Sequence, residues 1–289
     1  MRGALLLSLL TLSMGFGPIA LASVSTCESI FTSTEESAGL HSSLLTVVVD
    51  IAAEFARTPD ENENGLVTDR LPITVETLTE AYARGIFPWE VTASGNGVWF
   101  TPPKRGILVL DELRIGKSDT KLLKRLTEAE ARGELRVTFD TAFERVIQAC
   151  AAQSRLRRDA HTGQLAAEGT WITPEIMTAY TAMFKAGRAH SIEIWKGDEL
   201  VAGSYGTAVA GIFSGESMFH TMPDVAKLAF VRMLERLKSL GYQWVDTQVA
   251  PPDSTSLTVK WGAREITRDE YLARLKVSAE TPNRWSIQN

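Results

Sequence analysis

The amino-acid sequence predicts an α/β (α+β) fold built around residues 169–249. Apolar residues in the segment 174–186 recur at helical spacing, whereas residues 190–214 follow the pattern of strands. A second helical pattern ends at Gly241, and a strand over 242–249 comes directly after it. This order of helix, strands, helix and strand predicts a sheet with helices packed against it.

Both predicted helices carry terminal signals. Thr173 suits an N-cap, Pro174 suits the first helical position and Gly187 suits a left-handed end, so a helix is expected over 174–186. The second helix is expected to begin at residues 223–224. Their apolar stripes are Ile176, Met177, Tyr180, Met183 and Phe184 on the first, and Val225, Leu228, Ala229, Met233 and Leu237 on the second.

Between the helices the sequence predicts three strands, over 190–195, Glu199–Val209 and 212–214, the first two joined by a tight turn. Side chains alternate across a strand, so the last strand presents two sets of residues. These are Trp244, Asp246 and Gln248 on one face, and Val245 and Val249 on the other. A carboxylate and an amide are thus held side by side, either as a polar pair at a sheet edge or as a functional site.

Composition narrows the classes of function. The 289 residues, 44% hydrophobic and 22% charged, suit one or two globular domains. A formal charge of -5 argues against a protein that coats nucleic acid, so any RNA contact requires a local basic patch. The chain has no metal-ligand spacing, nucleotide phosphate loop or serine nucleophile motif, and its four histidines are scattered. No metal and no cofactor are therefore expected.

The first 22 residues have the pattern of a secretory signal peptide. Met1 and Arg2 precede an apolar run over 4–12, and Ala20 to Ala22 supply a small-residue cleavage site. The run is too short for a membrane span, and none is expected after removal of the signal. The alternatives are a buried N-terminal helix or a misassigned start. Two cysteines leave open a Cys27–Cys150 disulfide or a buried Cys150 thiol.

Five blocks of sequence, in this order, resemble the leucyl/phenylalanyl-tRNA–protein transferase family. They are Ala-Tyr-Ala-Arg-Gly-Ile-Phe-Pro-Trp at 81–89, Gly-Thr-Trp-Ile-Thr at 169–173, His-Ser-Ile-Glu-Ile-Trp at 190–195, Gly-Glu-Ser-Met-Phe at 215–219 and Asp-Thr-Gln-Val at 246–249. The resemblance runs from about residue 64 to residue 275. It implies a cofactor-free aminoacyltransferase that moves Leu or Phe from aminoacyl-tRNA onto the N-terminal Arg or Lys of a protein, as in the N-degron pathway of protein turnover.

The resemblance also implies a small N-terminal domain before a GNAT-like acyltransferase domain, in a monomer. The expected divisions are a signal-like segment at 1–22, an extension and linker at 23–63, the small domain at 64–103, the transferase domain at 104–275 and a C-terminal tail at 276–289. Family function implies the cytoplasm, whereas use of the signal-like segment implies export to the periplasm. Export would separate the protein from charged tRNA.

By the same resemblance, Asp246 and Gln248 match the family's active-site pair. Peptide-bond formation from an activated ester needs a positioned, neutral amine, so the pair is expected to hold the acceptor's α-amino group and accept or relay its proton. Because a carboxylate stabilises a protonated amine, the expected role of Asp246 is orientation and electrostatics. Glu216 matches an acidic residue that recognises the acceptor's basic side chain. Its alternative is a structural carboxylate that caps the following turn.

A pocket for the terminal adenosine and the aminoacyl side chain is also implied. Aromatic stacking is worth about 1–3 kcal/mol per base, which is enough to orient a 3′ end. The residues expected near it are Trp89, Trp171, Tyr82 and Tyr180 as aromatic members, and Ser204, Met218, Phe230, Met233, Leu237 and Val245 as the side-chain pocket for Leu, Phe or Met. Without the resemblance, most of these positions would be assigned to the core.

A basic stripe is expected on a helix between the two domains. Its members are Lys117, Lys121, Lys124 and Arg125, opposite Leu122 and Leu123. Such a run is either a solvated helix face or, as in the matching family segment, a contact for the tRNA acceptor stem. Phosphate contacts of this kind give salt-sensitive, sequence-tolerant binding.

The segment after Gln248 departs from the family. An expected histidine is absent, and residues 251–261 read Pro-Pro-Asp-Ser-Thr-Ser-Leu-Thr-Val-Lys-Trp. Two alternatives to the transferase follow. One is an exported relative that uses another acyl donor or peptide substrate, and the other is an inactive binding module for basic N-termini.

Overall fold

The computed structural model describes residues 49–153, 155–158, 165–168, 170–251, 254, 256–281 and 285. The signal-like segment, Cys27 and residues 23–48 of the expected extension lie outside the described residues. From Asp50 onward the described chain belongs to one compact unit. Within it, no helix has the length and apolar character that crossing a membrane requires.

The helices begin mostly at the residues that their capping signals predict. Thr74 forms a capping box with Thr77, and the Thr173 and Thr267 side chains accept hydrogen bonds from backbone N–H groups three residues later. The described α-helices are α1 Ile51–Phe55, α2 Val75–Ala83, α3 Lys117–Ala131, α4 Phe143–Ala152, α5 Pro174–Lys185, α6 Val225–Ser239, α7 Leu257–Lys260 and α8 Arg268–Ser278. Short 3-10 helices span Glu61–Glu63 and Leu110–Glu112.

The described strands fall into three sheets. They are β1 Leu66–Thr68, β2 Phe87–Val91, β3 Gly97–Phe100, β4 Lys104–Val109, β5 Arg136–Phe139, β6 Arg155–Arg158, β7 Leu165–Glu168, β8 Ala189–Lys196, β9 Glu199–Val209, β10 Ile212–His220, β11 Trp244–Gln248 and β12 Arg264–Thr267. The small sheet has the order β1-β3-β2, the large sheet the order β12-β4-β11-β10-β9-β8-β5, and β6 and β7 form an antiparallel pair.

Within the large sheet, β10 and β11 are parallel and the other described pairs are antiparallel. The predicted mixed α/β fold is confirmed. Two strands differ from the prediction by more than one residue at an end. The strand expected over 212–214 continues to His220, because a bulge between Gly215 and Ser217 lets its pairing with β9 resume. The last strand is shorter than 242–249 and spans Trp244–Gln248.

Both faces of the large sheet are covered. The α6 face packs Leu108, Phe213 and Val245 of the sheet against Leu228 and Leu234 of α6. On the opposite face, α2, α4 and α5 cover the β8–β9 side, and α8 covers the β4–β11 side. We call this second side the α5 face. Adjacent residues of one strand contribute to opposite faces, as the period of two requires.

One residue of the expected C-terminal tail lies inside the core. Trp285 is 3% exposed and belongs to the α6-face cluster. Its ring stacks on His190 at 4.5 Å between centroids, and its Nε1 donates to the Asp140 carboxylate at 2.7 Å. The chain after α8 therefore contributes to the core on the α6 face of the large sheet.

Candidate active site

The candidate site lies where the parallel strands β10 and β11 stop running side by side. They pair through Phe213 with Val245 and Ser214 with Asp246. Beyond that point β10 bulges at Glu216, and β11 loses its regular pairing with β4 before Gln248. Ligands of open α/β sheets commonly bind at such carboxyl ends of parallel strands. The geometry thus brings the Glu216 and Gln248 side chains together.

The contact between these two side chains is direct. Gln248 Nε2 donates a hydrogen bond to Glu216 Oε2 at 3.0 Å. Gln248 has a left-handed backbone conformation with φ of +61°, so the strand's alternation ends at Asp246. Asp246 and Gln248 lie close together, as expected from their spacing. A bulge and a backbone turn bring this about, rather than regular strand geometry.

Asp246 has no exposed surface and is fully hydrogen-bonded by the protein. Its Oδ1 accepts hydrogen bonds from Arg105 Nε at 2.9 Å and the Gln248 backbone N–H at 2.8 Å. Its Oδ2 accepts from Arg105 Nη2 at 2.6 Å, the Tyr271 hydroxyl at 2.8 Å and the Ser214 hydroxyl at 3.1 Å. Five donors occupy the acceptor sites of one carboxylate, which leaves no oxygen directed at a substrate.

Arg105 is the buried partner of Asp246. Its guanidinium lies over the rings of Phe87 at 4.4 Å and Tyr271 at 4.6 Å, and Nη1 donates to the Gly85 carbonyl at 3.1 Å. Burial alone would lower the pKa of Arg105, but the Asp246 charge outweighs it and holds that pKa above its usual value. Arg105 is therefore a permanent cation beneath the site.

Sequence reasoning missed Arg105, Ser214 and Tyr271. Arg105 alone carried a signal, since it is a charged residue next to the buried run Gly106–Leu108. A cation in a buried strand requires a partner, but the sequence does not show which carboxylate supplies it. Ser214 and Tyr271 carry no comparable signal.

Glu216 has a different environment from Asp246. The carboxylate is partly buried, and its Oε1 accepts a hydrogen bond from the Tyr82 hydroxyl at 2.6 Å. The Tyr180 hydroxyl lies 2.6 Å from that of Tyr82 and 3.5 Å from Glu216 Oε2. Burial raises the pKa of Glu216 to about 7, against the hydrogen bonds from Tyr82 and Gln248, which lower it. Glu216 can therefore change its charge near neutral pH.

The two tyrosines are held as neutral donors. Burial raises the pKa of both Tyr82 and Tyr180, and the nearby Glu216 charge raises it further. Because the single Tyr82 proton is donated to Glu216, Tyr180 donates its own proton to Tyr82 or to Glu216. The pair supports the carboxylate from α2 and α5.

The four expected aromatic residues all belong to or pack against the α5-face cluster, which places them on one side of the sheet. Trp171 contacts Tyr180 edge to face at 6.4 Å, and Trp89 packs against Phe87 and Phe100. The Trp171 Nε1 donor is buried and has no partner in the part of the chain that the structure describes. A buried donor without a protein partner suits a ligand acceptor.

The six residues of the expected side-chain pocket lie apart from the aromatic four. Met218, Phe230, Met233, Leu237 and Val245 belong to or pack against the α6-face cluster. Leu237 and Val245 are core residues at 0% and 3% exposure, and the Ser204 hydroxyl donates to the Ser217 carbonyl at 3.0 Å. The structure thus divides the ten expected residues between opposite faces of the sheet.

Met218 also lines a cleft of about 710 Å³. The cleft is bounded by the start of α3, the start of α6 and the short helix α7, and its other lining residues are Ser118, Asp119, His220, Asp224, Ala226, Lys227, Leu257 and Lys260. Two of these, Leu257 and Lys260, come from the segment that departs from the family. The departure therefore borders the cleft beside Met218.

The basic stripe lies on α3 with all four cations exposed, while Leu122 and Leu123 are half-buried behind it. Asp119, which interrupts the stripe, accepts hydrogen bonds from Lys227 at 2.9 Å and Trp261 Nε1 at 2.9 Å. Its charge is therefore paired with Lys227 of α6. Within the described chain, no group of three or more His, Cys, Asp or Glu side chains is arranged to hold a metal ion.

The family model for leucyl/phenylalanyl-tRNA protein transferase matches residues 107–276, and the model for the N-terminal domain of that family matches residues 72–103. The chain belongs to the leucyl/phenylalanyl-tRNA–protein transferase family. This confirms the predicted membership and the class of enzyme. The matched segments contain Asp246, Gln248, Glu216 and the basic stripe.

Relatives in this family support the assignment over most of the chain. The leucyl/phenylalanyl-tRNA–protein transferase of Anaeromyxobacter sp. (strain K) is 41% identical over 227 residues, which covers 78% of this chain and 88% of that protein. The one from Nitratidesulfovibrio vulgaris (strain DP4) is 38% identical over 241 residues, which covers 83% and 94%. Among solved structures, L-PGS from Bacillus licheniformis has a TM-score of 0.34 at 13% identity, over 60% of this chain and 49% of that chain, a similarity too low to support an inference.

Proposed function

We propose that this protein transfers leucine or phenylalanine from aminoacyl-tRNA onto proteins that begin with Arg or Lys. Family membership supports the transfer reaction. The observation that carries the acceptor choice is the Glu216–Gln248 contact at the diverging ends of β10 and β11. In this contact, a carboxylate that can bind a cation lies beside an amide that can bind an amine.

Glu216 is proposed to bind the basic side chain of the acceptor's first residue. Glu216 is a half-buried residue, whereas Asp246 has no exposed surface. A guanidinium or ammonium group would pair with the ionised form of Glu216, and burial strengthens such a pair. Tyr82 and Tyr180 hold the carboxylate in place from behind.

Gln248 is proposed to hold the acceptor's α-amino group. Because its Nε2 donates to Glu216, its Oε1 is the oxygen left to accept a hydrogen bond from the amine. The neutral amine attacks the ester carbonyl, the N–C bond forms and the bond to the ribose oxygen breaks. One amine proton ends on the released ribose hydroxyl. An amide has no basic lone pair for this proton, so Gln248 orients the amine and does not deprotonate it.

Asp246 is proposed to act through its neighbours. Its two oxygens are occupied by Arg105, Tyr271, Ser214 and the Gln248 backbone. A carboxylate in that position cannot accept the amine's proton without breaking its ion pair. This replaces direct contact with the acceptor, the role expected from the family pattern, by an indirect one.

The aminoacyl-tRNA is proposed to contact two surfaces. The exposed cations of α3 suit the phosphates of the acceptor stem. Trp89 and Trp171 supply aromatic faces for the terminal adenosine, and the unpartnered Trp171 donor supplies a hydrogen bond for it. Met218 offers an apolar contact for the Leu or Phe side chain, while Phe230, Met233, Leu237 and Val245 form the packed wall behind it. The protein is proposed to act as a monomer.

The test is transfer of labelled phenylalanine or leucine from charged tRNA to an Arg-starting peptide by the purified protein. We expect labelled peptide with Arg or Lys at the start, and none with Gln or acetylated Arg. Absence of transfer by the folded protein would refute the proposal. The comparisons give no support to an exported relative with another donor or to an inactive binding module.

A further inference from the structure

We infer that Arg105 and Tyr271 are positioning residues that hold Gln248 in its working conformation through Asp246. The inference deepens the proposed function and rests on it. Both side chains bind the Asp246 carboxylate, which in turn accepts a hydrogen bond from the Gln248 backbone N–H. The buried residues therefore fix the Asp246 carboxylate, and this carboxylate fixes Gln248.

Gln248 needs such a constraint because its backbone is strained. A side chain with a Cβ rarely adopts a φ of +61°, which favours glycine or asparagine. The Gln248 N–H holds this conformation by donating to Asp246 Oδ1 at 2.8 Å. On the neighbouring strand, Gly106 makes room for the turn, since a Cβ there would lie 2.6 Å from Thr247 Oγ1 and 2.7 Å from the Val249 carbonyl carbon.

The Asp246 carboxylate is in turn fixed from three elements. Arg105 binds both oxygens from β4, Tyr271 donates from α8 and Ser214 donates from β10. Arg105 cannot follow a rotation of the carboxylate, because it also donates to the Gly85 carbonyl at the end of α2. Rotation of Asp246 would therefore break several hydrogen bonds to a buried charge at once.

A rotation of Asp246 would change the conformation of Gln248. If Asp246 rotates, the Gln248 N–H loses its acceptor and the backbone is free to return to an extended conformation. The amide would then leave Glu216, and its oxygen would no longer face the acceptor amine. Loss of the Tyr271 hydroxyl should accordingly slow transfer while leaving the binding of tRNA by the exposed cations of α3 unchanged.

A double-mutant cycle between Tyr271→Phe and Gln248→Ala tests this link. Tyr271→Phe keeps the ring that covers Arg105 and removes one hydrogen bond to Asp246. We expect kcat to fall about tenfold in the wild-type background, the loss typical of a hydrogen bond to a charged group. In the Gln248→Ala background the same change should lower the residual kcat less than about twofold, because coupled residues are not additive.

The matched control is Ser278→Ala. It also removes one side-chain hydrogen bond between α8 and β11, the one from Trp244 Nε1 at 3.1 Å, without touching Asp246. We expect its kcat and its KM for aminoacyl-tRNA to stay within about twofold of wild type, the range of a variant outside the coupled network. If Tyr271→Phe does not fold, Ser214→Ala removes another donor to Asp246 and carries the same expectation.

An equal loss of kcat in both backgrounds would overturn the inference, because Tyr271 would then act independently of Gln248. Hydrogen exchange supplies a readout that does not need transfer. The backbone N–H of Gln248 should exchange its hydrogen faster in Tyr271→Phe than in Ser278→Ala. Equal exchange rates would contradict the link through Asp246. If wild type transfers nothing, the proposed function fails, while the exchange rates still decide whether Asp246 constrains Gln248.

Discussion

Asp246 and Glu216 are carboxylates on neighbouring parallel strands with opposite surroundings. Asp246 is enclosed, pairs with a buried guanidinium and accepts five hydrogen bonds. Glu216 is partly exposed, has neutral donors as neighbours and has a pKa of about 7. Five hydrogen bonds fix the geometry of the first carboxylate, whereas the second can change its charge near neutral pH. The difference supports the proposal that Asp246 holds the site in place and Glu216 binds the basic side chain of the acceptor.

Changing Asp246 should have the largest effect on stability. Asp246→Ala leaves Arg105 buried without its ion-pair partner, so we expect the free energy of unfolding to fall by about 3–5 kcal/mol. Glu216→Ala removes no buried charge partner and should cost clearly less. Denaturant unfolding of both variants checks the difference. Equal losses would show that the two carboxylates are not distinguished by their surroundings.

The same comparison explains what sequence reasoning could and could not predict. Hydrophobic periodicity predicted α5, α6 and the order of strands, and the Thr173 cap predicted the start of α5, because those signals are local. The spacing of Asp246 and Gln248 predicted that they lie close together, but a bulge and a left-handed backbone at Gln248 bring this about instead of strand alternation. The Arg105 partner of Asp246 was not predictable, because it lies 141 residues away and depends on the register of β4 and β11.

The contact between Glu216 and Gln248 was also not predictable from the sequence. Family resemblance indicated the residue, but its orientation depends on a bulge between Gly215 and Ser217 that no local signal predicts. The expected pocket residues were split for a related reason. The resemblance placed Trp171 and Val245 in one pocket, whereas Trp171, in the loop before α5, packs on the α5 face and Val245 of β11 packs on the α6 face.

The pH dependence of acceptor binding should come from Glu216. Only the ionised carboxylate pairs with a basic side chain, so KM for an Arg-starting peptide should rise roughly tenfold as the pH falls from about 8 to about 6. Glu216→Gln should remove this change, and Glu199→Gln, an exposed change on β9, should keep it. A pH profile of KM for the three proteins measures it. Retention of the full change in Glu216→Gln would contradict the assignment.

The charge on Glu216 should also affect stability, but in the opposite direction: rising pH favours acceptor binding and lowers the free energy of unfolding. Burial raises the folded pKa of Glu216 from 4.5 to about 7, so its contribution to stability is complete below about 4.5 and is lost as the pH rises toward 7. Glu216→Gln should therefore gain stability relative to wild type between pH 5 and pH 8. Unfolding measured at both values checks the sign, and a relative loss would be inconsistent with the raised pKa.

The smallest expected effect is on tRNA binding by the basic stripe, which should not depend on either carboxylate. Lys121→Ala with Lys124→Ala should weaken aminoacyl-tRNA binding several-fold and reduce the salt slope by roughly two, because two phosphate contacts are lost. Peptide KM should not change. Lys196→Ala with Lys276→Ala, two exposed lysines elsewhere, is the control. A salt slope unaltered by the first pair would remove α3 from the RNA-binding surface.

The most direct test of the central claim is the acceptor preference of Glu216→Gln. Transfer would be measured with peptides that differ only in their first residue, Arg or Gln, at pH 8, where Glu216 is ionised. Wild type should favour Arg, and the variant should lose most of that preference while it still takes the aminoacyl group from the same tRNA. An undiminished preference for Arg in Glu216→Gln would contradict the assignment of substrate reading to this carboxylate.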